Sequence, residues 1–307
     1  MDLIKQKQDA TNLNPSSGFD VSSAERVSNH IFLAINPVTA GKQDVTGEFI
    51  LIDDEKYYQI KNYDGMQPFF ISLASDSNHW MYISSTGGLT AGRKNPDHAL
   101  FPYYTDDKIS ESAEITGSKT ILHVTKSGKK YLWEPFSDRN KGIYTLERSI
   151  AKSAIGNKII FTERNTDLGL TFSYAWMNSD EFGWVKKSSL VNNSNEAVEI
   201  YVVDGLQNVL PSGIDRLTQN TFSTLVDGYK KTELVDNSGL ALYRMEAILV
   251  DRAEPSESLR ANTIWSTGLE NAHFLLSSRQ LDAFSAGHEP APETEAKGVR
   301  GAYFACS

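Results

Sequence analysis

The chain is a series of short apolar runs separated by clusters of Gly, Asn, Asp and Ser, beginning near Ile31. The runs are rich in Ile, Val, Thr, Tyr and Phe, which favour strands, and turn-forming residues bound them. The predicted strands are Gly47–Ile52, Tyr57–Ile60, Phe69–Leu73, Trp80–Ile83, Thr120–Val124, Tyr131–Trp133, Ile143–Arg148, Lys158–Thr162, Leu168–Tyr174, Trp184–Val191, Ala197–Val203, 240–250, 271–276 and Val299–Phe304. Regular spacing of this kind predicts an all-β fold, a large two-sheet antiparallel β-sandwich with few short helices.

Helical periodicity is weak along the whole chain. The best window is 215–231, which Gly228 weakens, and its predicted apolar face consists of Leu217, Phe222, Leu225, Val226 and Tyr229. Residues 1–28 are polar and predict a loosely held N-terminal arm. Residues 29–307 then form one sandwich domain.

Composition excludes several partners and compartments. The net charge of −9 argues against nucleic acid and anionic membranes, which attract a basic face. No apolar run reaches the length of a membrane-spanning helix, which needs about 18 residues. The N-terminus lacks the apolar centre of a signal peptide, and Cys306 is the only cysteine, so no intrachain disulfide can form. We therefore predict a cytoplasmic protein.

The segment 80–107 is the densest in residues that could bind a ligand. It combines a Gly-Gly pair, aromatic rings and charged groups. Sugar sites need aromatic faces for stacking and planar polar groups for paired hydroxyls. The predicted substrate-binding residues are Arg93, Asp97, His98, Tyr103 and Tyr104. The alternative is a structured loop between strands, whose aromatic rings cover a sheet edge.

Two further segments carry carboxylates. Glu134 and Asp138 could form an acid/base pair, although an ion pair of this segment with Arg139 is the simpler interpretation. Asp204 precedes Gly205 at the end of a predicted strand, which indicates a turn or, alternatively, a group that orients a ligand hydroxyl.

Motifs of known chemistry are absent from the sequence. The six histidines are scattered and stand in no metal-binding pattern. The segments 84–88 and 90–93 lack the phosphate-loop and dinucleotide patterns, and there is no nucleophile elbow. We predict no catalytic residue, no metal and no cofactor.

The order of the segments resembles a known family. GEFILIDD is followed by a Gly-Gly loop, an aromatic loop, a strand with Glu163 and Asn165, and a strand that ends in Leu190, Asn192 and Ser194. Over about residues 45–250 this is similar to the N-terminal β-sandwich of cellobiose-phosphorylase-type enzymes, which are inverting glycoside phosphorylases. The resemblance implies a galactose-mutarotase-like fold whose loops approach an active site, with Arg93 as the nearest candidate in this chain.

In that family a helical linker and an (α/α)₆ barrel follow the sandwich, and the barrel holds the general acid. This chain is too short and too β-rich to contain such a barrel, so no catalytic residue is carried over. The resemblance implies that the chain is cut before the linker. Its expected partners are a carbohydrate, either an oligosaccharide or a sugar phosphate, and the missing C-terminal helical catalytic domain. Homodimerisation is left open.

Three functions remain at this point. The first is a non-catalytic carbohydrate-associated module that shapes a sugar site or an interface. The second is a free-standing sugar mutarotase or epimerase, in which His98 and either Glu134 or Glu163 would act as acid and base. The third is a structural interaction domain without a ligand, since a fold does not determine a function.

Overall fold

The computed structural model describes residues 44–236, 238–247 and 260–307, together with the backbone of residues 32–33 and 36–37. The chain divides into two units after Ala40. In the first unit, β1 (Phe32–Leu33) pairs antiparallel with β2 (Asn36–Pro37). The predicted polar arm at 1–28 lies outside the described residues.

The second unit is built almost entirely from strands. They are β3 (Thr46–Ile52), β4 (Glu55–Lys61), β5 (Phe70–Leu73), β6 (His79–Ser84), β7 (Leu89–Arg93), β8 (Gly117–Lys126), β9 (Lys129–Trp133), β10 (Leu146–Ser153), β11 (Lys158–Asn165), β12 (Leu170–Ser179), β13 (Gly183–Asn192), β14 (Glu199–Val209), β15 (Lys230–Val235), β16 (Leu240–Met245), β17 (Asn262–Ile264), β18 (His273–Leu275), β19 (Glu295–Lys297) and β20 (Gly301–Cys306). Each predicted strand overlaps one of these, although positions 248–250 of the run at 240–250 lie outside the described residues.

Helices are few and short, as predicted. They are α1 (Asp106–Glu111), α2 (Arg216–Phe222), α3 (Leu281–Ser285) and the 3-10 turns Tyr63–Gly65, Pro96–His98 and Ser223–Tyr229. The predicted helical window at 215–231 is confirmed as α2 and the 3-10 turn after it. Its predicted apolar face is only partly buried, because Val226 packs inside while Leu217 and Leu225 are exposed. No helix in the described part of the chain is long and apolar enough to cross a membrane.

The strands of the second unit form four antiparallel sheets, arranged as the blades of a four-bladed β-propeller. Their strand orders are β13-β12-β11-β10-β4-β3, β18-β20-β14-β8-β9, β17-β16-β15-β19 and β5-β6-β7. The predicted two-sheet sandwich is therefore wrong, and so is the galactose-mutarotase-like sandwich implied by the family resemblance. Short antiparallel strands with turn signals occur in sandwiches and propellers alike, so the pattern does not decide how strands divide among sheets.

Three of the four sheets join segments that are distant in sequence, and in the four-stranded sheet the distant pair is β15 with β19. In the six-stranded sheet, β4 pairs with β10, so the early hairpin β3–β4 extends a sheet built from β10 to β13. In the five-stranded sheet, the last strand, β20, inserts between β14 and β18. These pairings depend on contacts across the chain, which local residue patterns do not encode.

One continuous apolar core connects the four sheets. It includes Phe161 from the six-stranded sheet, Met81 from the three-stranded sheet, Trp133 from the five-stranded sheet and Tyr243 from the four-stranded sheet. All four side chains are almost completely buried. Large aromatic side chains thus provide much of the surface that is buried where the sheets meet.

The Asp204-Gly205 pair lies within β14 rather than at a turn, which corrects the sequence-based interpretation. A Cβ atom at Gly205 would lie 1.9 Å from the carbonyl oxygen of Tyr303 in the paired strand β20. Glycine is required here because the two backbones approach too closely for any side chain.

Candidate functional site

The loop after β7 folds back onto the strand that it leaves. The Leu100 N–H donates to the Ala91 carbonyl at 2.7 Å, and Gly92 forms an isolated bridge with Ala99. A Cβ at Gly92 would lie 2.5 Å from both the His98 carbonyl and the Trp80 ring, so only glycine allows this close approach. The loop is therefore ordered by its own backbone.

Three of the five predicted substrate-binding residues lie on the exposed turn of this loop. Arg93, Asp97 and His98 are solvent-exposed. The Asn95 carboxamide oxygen organises the turn, since it accepts the Asp97 N–H at 3.1 Å and lies 2.8 Å from His98 Nδ1. The Asp97 carboxylate accepts the Arg216 N–H at 3.2 Å, which connects the turn to the start of α2.

Tyr103 lies at the other end of the loop and is half-buried. Its N–H donates to Gln219 Oε1 at 3.2 Å, which attaches the loop to α2 a second time. Its ring packs edge-on against Trp80 of β6, with centroids 5.7 Å apart. This contact is the kind expected if the aromatic residues of the loop cover a sheet.

Tyr104 lines a small cleft, named here the Tyr104 cleft, which has a cavity volume of about 40 Å³ and is partly open to solvent. Its walls are Pro102, Tyr104, Asn208, Leu210, Ile214, Gln219, Val226, Asp227, Lys230 and Arg300. These residues come from separate parts of the chain: the loop before α1, the end of β14, the α2 region and the turn before β20. This volume is far below the range of enclosed small-molecule sites, about 300–1,000 Å³, so a ligand would lie across the open mouth of the cleft.

A β-bulge places Asn208 in the wall of this cleft. The register between β14 and β20 shifts between Gln207 and Val209, and Asn208 has a left-handed backbone with φ of 59°. Its amide nitrogen donates to Thr116 Oγ1 at 2.9 Å. Bulges of this type redirect a side chain away from the regular ladder and are common next to functional sites.

The charged groups of the cleft converge on Asp227. Its carboxylate accepts from Lys230 Nζ at 2.6 Å and from Arg300 Nε at 3.2 Å. The Lys230 side chain is only 7% exposed, and burial lowers its pKa although Asp227 acts in the opposite direction. Gln219 contributes an amide nitrogen that is buried and has no acceptor among the described residues. The cleft thus presents amide, carboxylate and guanidinium groups around one exposed tyrosine ring.

Of the predicted binding residues, only Tyr104 therefore lines the cleft, and Tyr103 supports it from the neighbouring position. Sequence reasoning missed Gln219, Asp227 and Arg300, which are ordinary polar residues at distant positions. The segment 201–211 was singled out for Asp204, but its contribution to the cleft is Asn208.

A second polar region surrounds Lys119, which is buried in β8. Its ammonium group lies 2.8 Å from a carboxylate oxygen of Glu114 and 2.8 Å from one of Glu134. Ser137 Oγ donates to Glu114 at 2.8 Å, and Arg139 Nε lies 3.5 Å from the same carboxylate. Every charged group in this region thus faces an opposite charge, which is the condition for burying it.

A third polar region is the buried ion pair between Arg148 and Glu163. Arg148 Nε donates to Glu163 at 2.7 Å, and Arg148 also contacts Asp138 at 3.0 Å. The fully buried Glu163 accepts two further bonds at 2.8 Å, from Trp133 Nε1 and from the Phe136 N–H. Glu163 is therefore a structural carboxylate with its oxygens occupied by protein donors.

These contacts correct three sequence-based interpretations. Glu134 and Asp138 do not form an acid/base pair, because each has its own basic partner, and the expected ion pair with Arg139 joins it to Glu114 and Asp282 instead. The alternative pairing of His98 with Glu163 is not assembled either, since His98 is exposed whereas Glu163 has no exposed surface.

Asp204 is also occupied by the protein. Its carboxylate accepts hydrogen bonds from Thr120 Oγ1, from Lys186 Nζ at 2.7 Å and from Ser188 Oγ at 2.8 Å. It therefore connects β8, β13 and β14, and these protein donors give it a structural role. Within the described ranges, no group of three or more His, Cys, Asp or Glu side chains could hold a metal ion.

Neither the family models nor the curated proteins contain a match to this chain. The resemblance to the N-terminal region of cellobiose-phosphorylase-type enzymes thus stays a prediction. The geometry of the Tyr104 cleft is the basis on which a function can be proposed.

Proposed function

We propose that this protein is a non-catalytic carbohydrate-associated module, and that the Tyr104 cleft is its sugar site. The observation that supports the proposal is the convergence of planar hydrogen-bonding groups, those of Asn208, Gln219, Asp227 and Arg300, around the exposed ring of Tyr104. An aromatic face packs against the C–H surface of a sugar ring, and planar polar groups bind neighbouring hydroxyls in pairs.

The charges of the cleft favour binding over catalysis. General acid/base chemistry needs two titrating groups whose environments hold their pKa values apart. Among the described cleft residues, Asp227 is the single carboxylate, and both Lys230 and Arg300 are bound to it. A single carboxylate that is held by two cations therefore provides no acid/base pair.

The proposal includes the partners expected from the family resemblance. These are an oligosaccharide or a sugar phosphate in the cleft, and a helical catalytic domain beside it. It also includes a cytoplasmic location, which agrees with a single, buried cysteine, since Cys306 has no partner for an intrachain disulfide.

Isothermal titration calorimetry tests the sugar site. Glucose, galactose, cellobiose and glucose 1-phosphate are titrated into the wild-type protein, and we expect binding of at least one. Tyr104→Ala should weaken that binding about tenfold or more, because it removes the stacking surface, worth about 1.4 kcal/mol or more.

Tyr82→Ala is the matched control. Tyr82 is a similarly exposed tyrosine of β6 that does not line the cleft, so its removal should leave the affinity unchanged. Absence of binding for all four sugars, or equal losses in the two variants, would contradict the proposal.

A further inference from the structure

Two exposed aromatic rings that are not part of the Tyr104 cleft meet on the surface. Phe182, in the turn between β12 and β13, is 56% exposed, and Trp265, immediately after β17, is 49% exposed. Their ring centroids lie 5.7 Å apart at an interplanar angle of 78°. We call this pair the aromatic platform. Neither residue lines the Tyr104 cleft.

The exposure of Trp265 distinguishes it from the other tryptophans of the chain. Trp133 and Trp176 are almost completely buried, and Trp80 and Trp184 are partly buried. Exposing a ring of this size to water loses the free energy that its burial would provide. A pair of such rings in contact on the surface therefore suggests that a ligand covers them.

The backbone next to both rings is anchored by neighbouring residues, and the rings contact each other. The Phe182 N–H donates to Ser179 Oγ at 3.3 Å within the hairpin turn. On the other side, Ser266 Oγ lies 3.1 Å from the Tyr303 hydroxyl, which fixes the residue after Trp265 to β20. Rings that are already held in position lose little conformational freedom on binding, which favours affinity.

The size of the platform limits what it can bind. Two rings of this type, each about half exposed, present on the order of 200 Å². A stable protein–protein interface buries about 800 Å² on each partner, so the platform alone is too small for one. It is comparable with the face of one or two sugar rings.

The charge around the platform excludes polyanions. Asp180 and Glu181 are exposed and lie in the same turn as Phe182. Asp180 lies close enough to His79 to favour the charged form of that imidazole. Exposed carboxylates repel nucleic acids and anionic lipids, whereas they accept hydrogen bonds from the hydroxyls of a neutral sugar.

We propose that the aromatic platform of Phe182 and Trp265 is a second carbohydrate-binding surface, which binds the exposed rings of a neutral polysaccharide by stacking. It extends the proposed function, because a platform suits an extended chain, whereas the cleft suits a single sugar unit. It stands on its own observations and does not require a sugar in the Tyr104 cleft.

Affinity gel electrophoresis tests the platform, with hydroxyethylcellulose, xylan and glycogen each included in a native gel. The wild-type protein should be retarded by at least one polymer, and Trp265→Ala should reduce the apparent affinity for it at least tenfold. Phe182→Ala should reduce it by a smaller factor. Phe222→Ala is the control, because Phe222 is an exposed ring in α2 outside the platform and should behave as the wild type.

A second measurement uses the exposure of Trp265 directly. Acrylamide should quench the tryptophan fluorescence of the wild-type protein more than that of Trp265→Phe, and the retarding polymer should protect only the wild type. Protection of Trp265 itself from quenching places the polymer on the platform, which separates failure of the platform from failure of the cleft.

Three results would overturn the platform proposal. They are unretarded wild-type protein in all three polymers, equal retardation of folded Trp265→Ala, and a wild-type dimer that Trp265→Ala converts to a monomer in size-exclusion chromatography. The last result would show that a second copy of the chain covers these rings.

Discussion

The loop that follows Trp133 and the loop that follows Arg93 are similar in composition, since both mix aromatic rings with acidic and basic residues. Their environments differ sharply. In the first loop, Glu134 is buried against Lys119, and the loop backbone donates to the fully buried Glu163. In the second, the charged residues are exposed, and the loop attaches to α2 through two hydrogen bonds.

The difference shows that the environment, and not the residue types, separates structural charges from charges available to a ligand. A buried charge must be neutralised by the protein itself, so its oxygens are occupied before any ligand arrives. An exposed loop that is fixed at only a few points leaves its side chains free to bind. Glu163 represents the first case and Tyr104 the second.

The largest loss of stability is expected for a substitution at Glu163. Glu163→Ala removes the buried partner of Arg148 and leaves it only the exposed Asp138, and it also leaves the donors Trp133 Nε1 and the Phe136 N–H without their acceptor. We expect a loss of about 3–5 kcal/mol in the free energy of unfolding, measured by urea denaturation.

Glu147→Ala is the control for this substitution. Glu147 pairs with Arg164 on the surface, at 3.4 Å with both side chains about half exposed, and its removal should cost no more than about 1 kcal/mol. Equal losses in the two variants would show that the burial of Glu163 has no energetic consequence, and the comparison between the loops would fail.

The sequence predicted the strands well and their arrangement poorly. Apolar alternation is a local property, and each predicted run overlaps an observed strand. The division into four sheets depends on pairs such as β4 with β10, which local patterns do not specify. The sandwich prediction failed at that step.

The residues of the candidate site could likewise be predicted only where a local cluster marks them. Tyr104 was found because aromatic and charged residues cluster in its own segment. Asn208, Gln219 and Arg300 reach the cleft from positions about one or two hundred residues away, and nothing local marks them as functional. The bulge at Asn208 in particular arises from the register between β14 and β20, which only the folded chain reveals.

An intermediate effect, on how the unfolding free energy depends on pH, is expected for Glu114, which is partly buried beside Lys119. Burial alone raises the pKa of a carboxyl group, but Lys119, Ser137 and the Asp138 N–H outweigh it and hold the pKa of Glu114 below its usual value. A lowered folded-state pKa contributes stability above the unfolded pKa of about 4.3, and this contribution is lost as the pH falls through the folded value.

Glu114→Gln removes this titration, and therefore its unfolding free energy should fall less steeply than that of the wild type between pH 5 and pH 3. Urea denaturation at several pH values within that range measures the two slopes. Glu111→Gln, at an exposed residue of α1, should retain the wild-type slope. If Glu114→Gln also keeps the wild-type slope, the contacts around Lys119 do not stabilise the ionised carboxylate.

The smallest effect is expected in the exposed loop, at Asp97. Its carboxylate accepts the Arg216 N–H at 3.2 Å, while α2 retains a second acceptor, because Asp215 accepts the Thr218 N–H at 2.7 Å. Asp97→Ala should therefore lower the unfolding free energy by at most about 1 kcal/mol, as for other exposed contacts at a helix start. Because the loop also positions Tyr104, sugar binding in the cleft should weaken more than stability does. A loss of stability as large as that of Glu163→Ala would mean that the loop after Arg93 is structural, like the loop after Trp133. The contrast between the two loops would then be wrong.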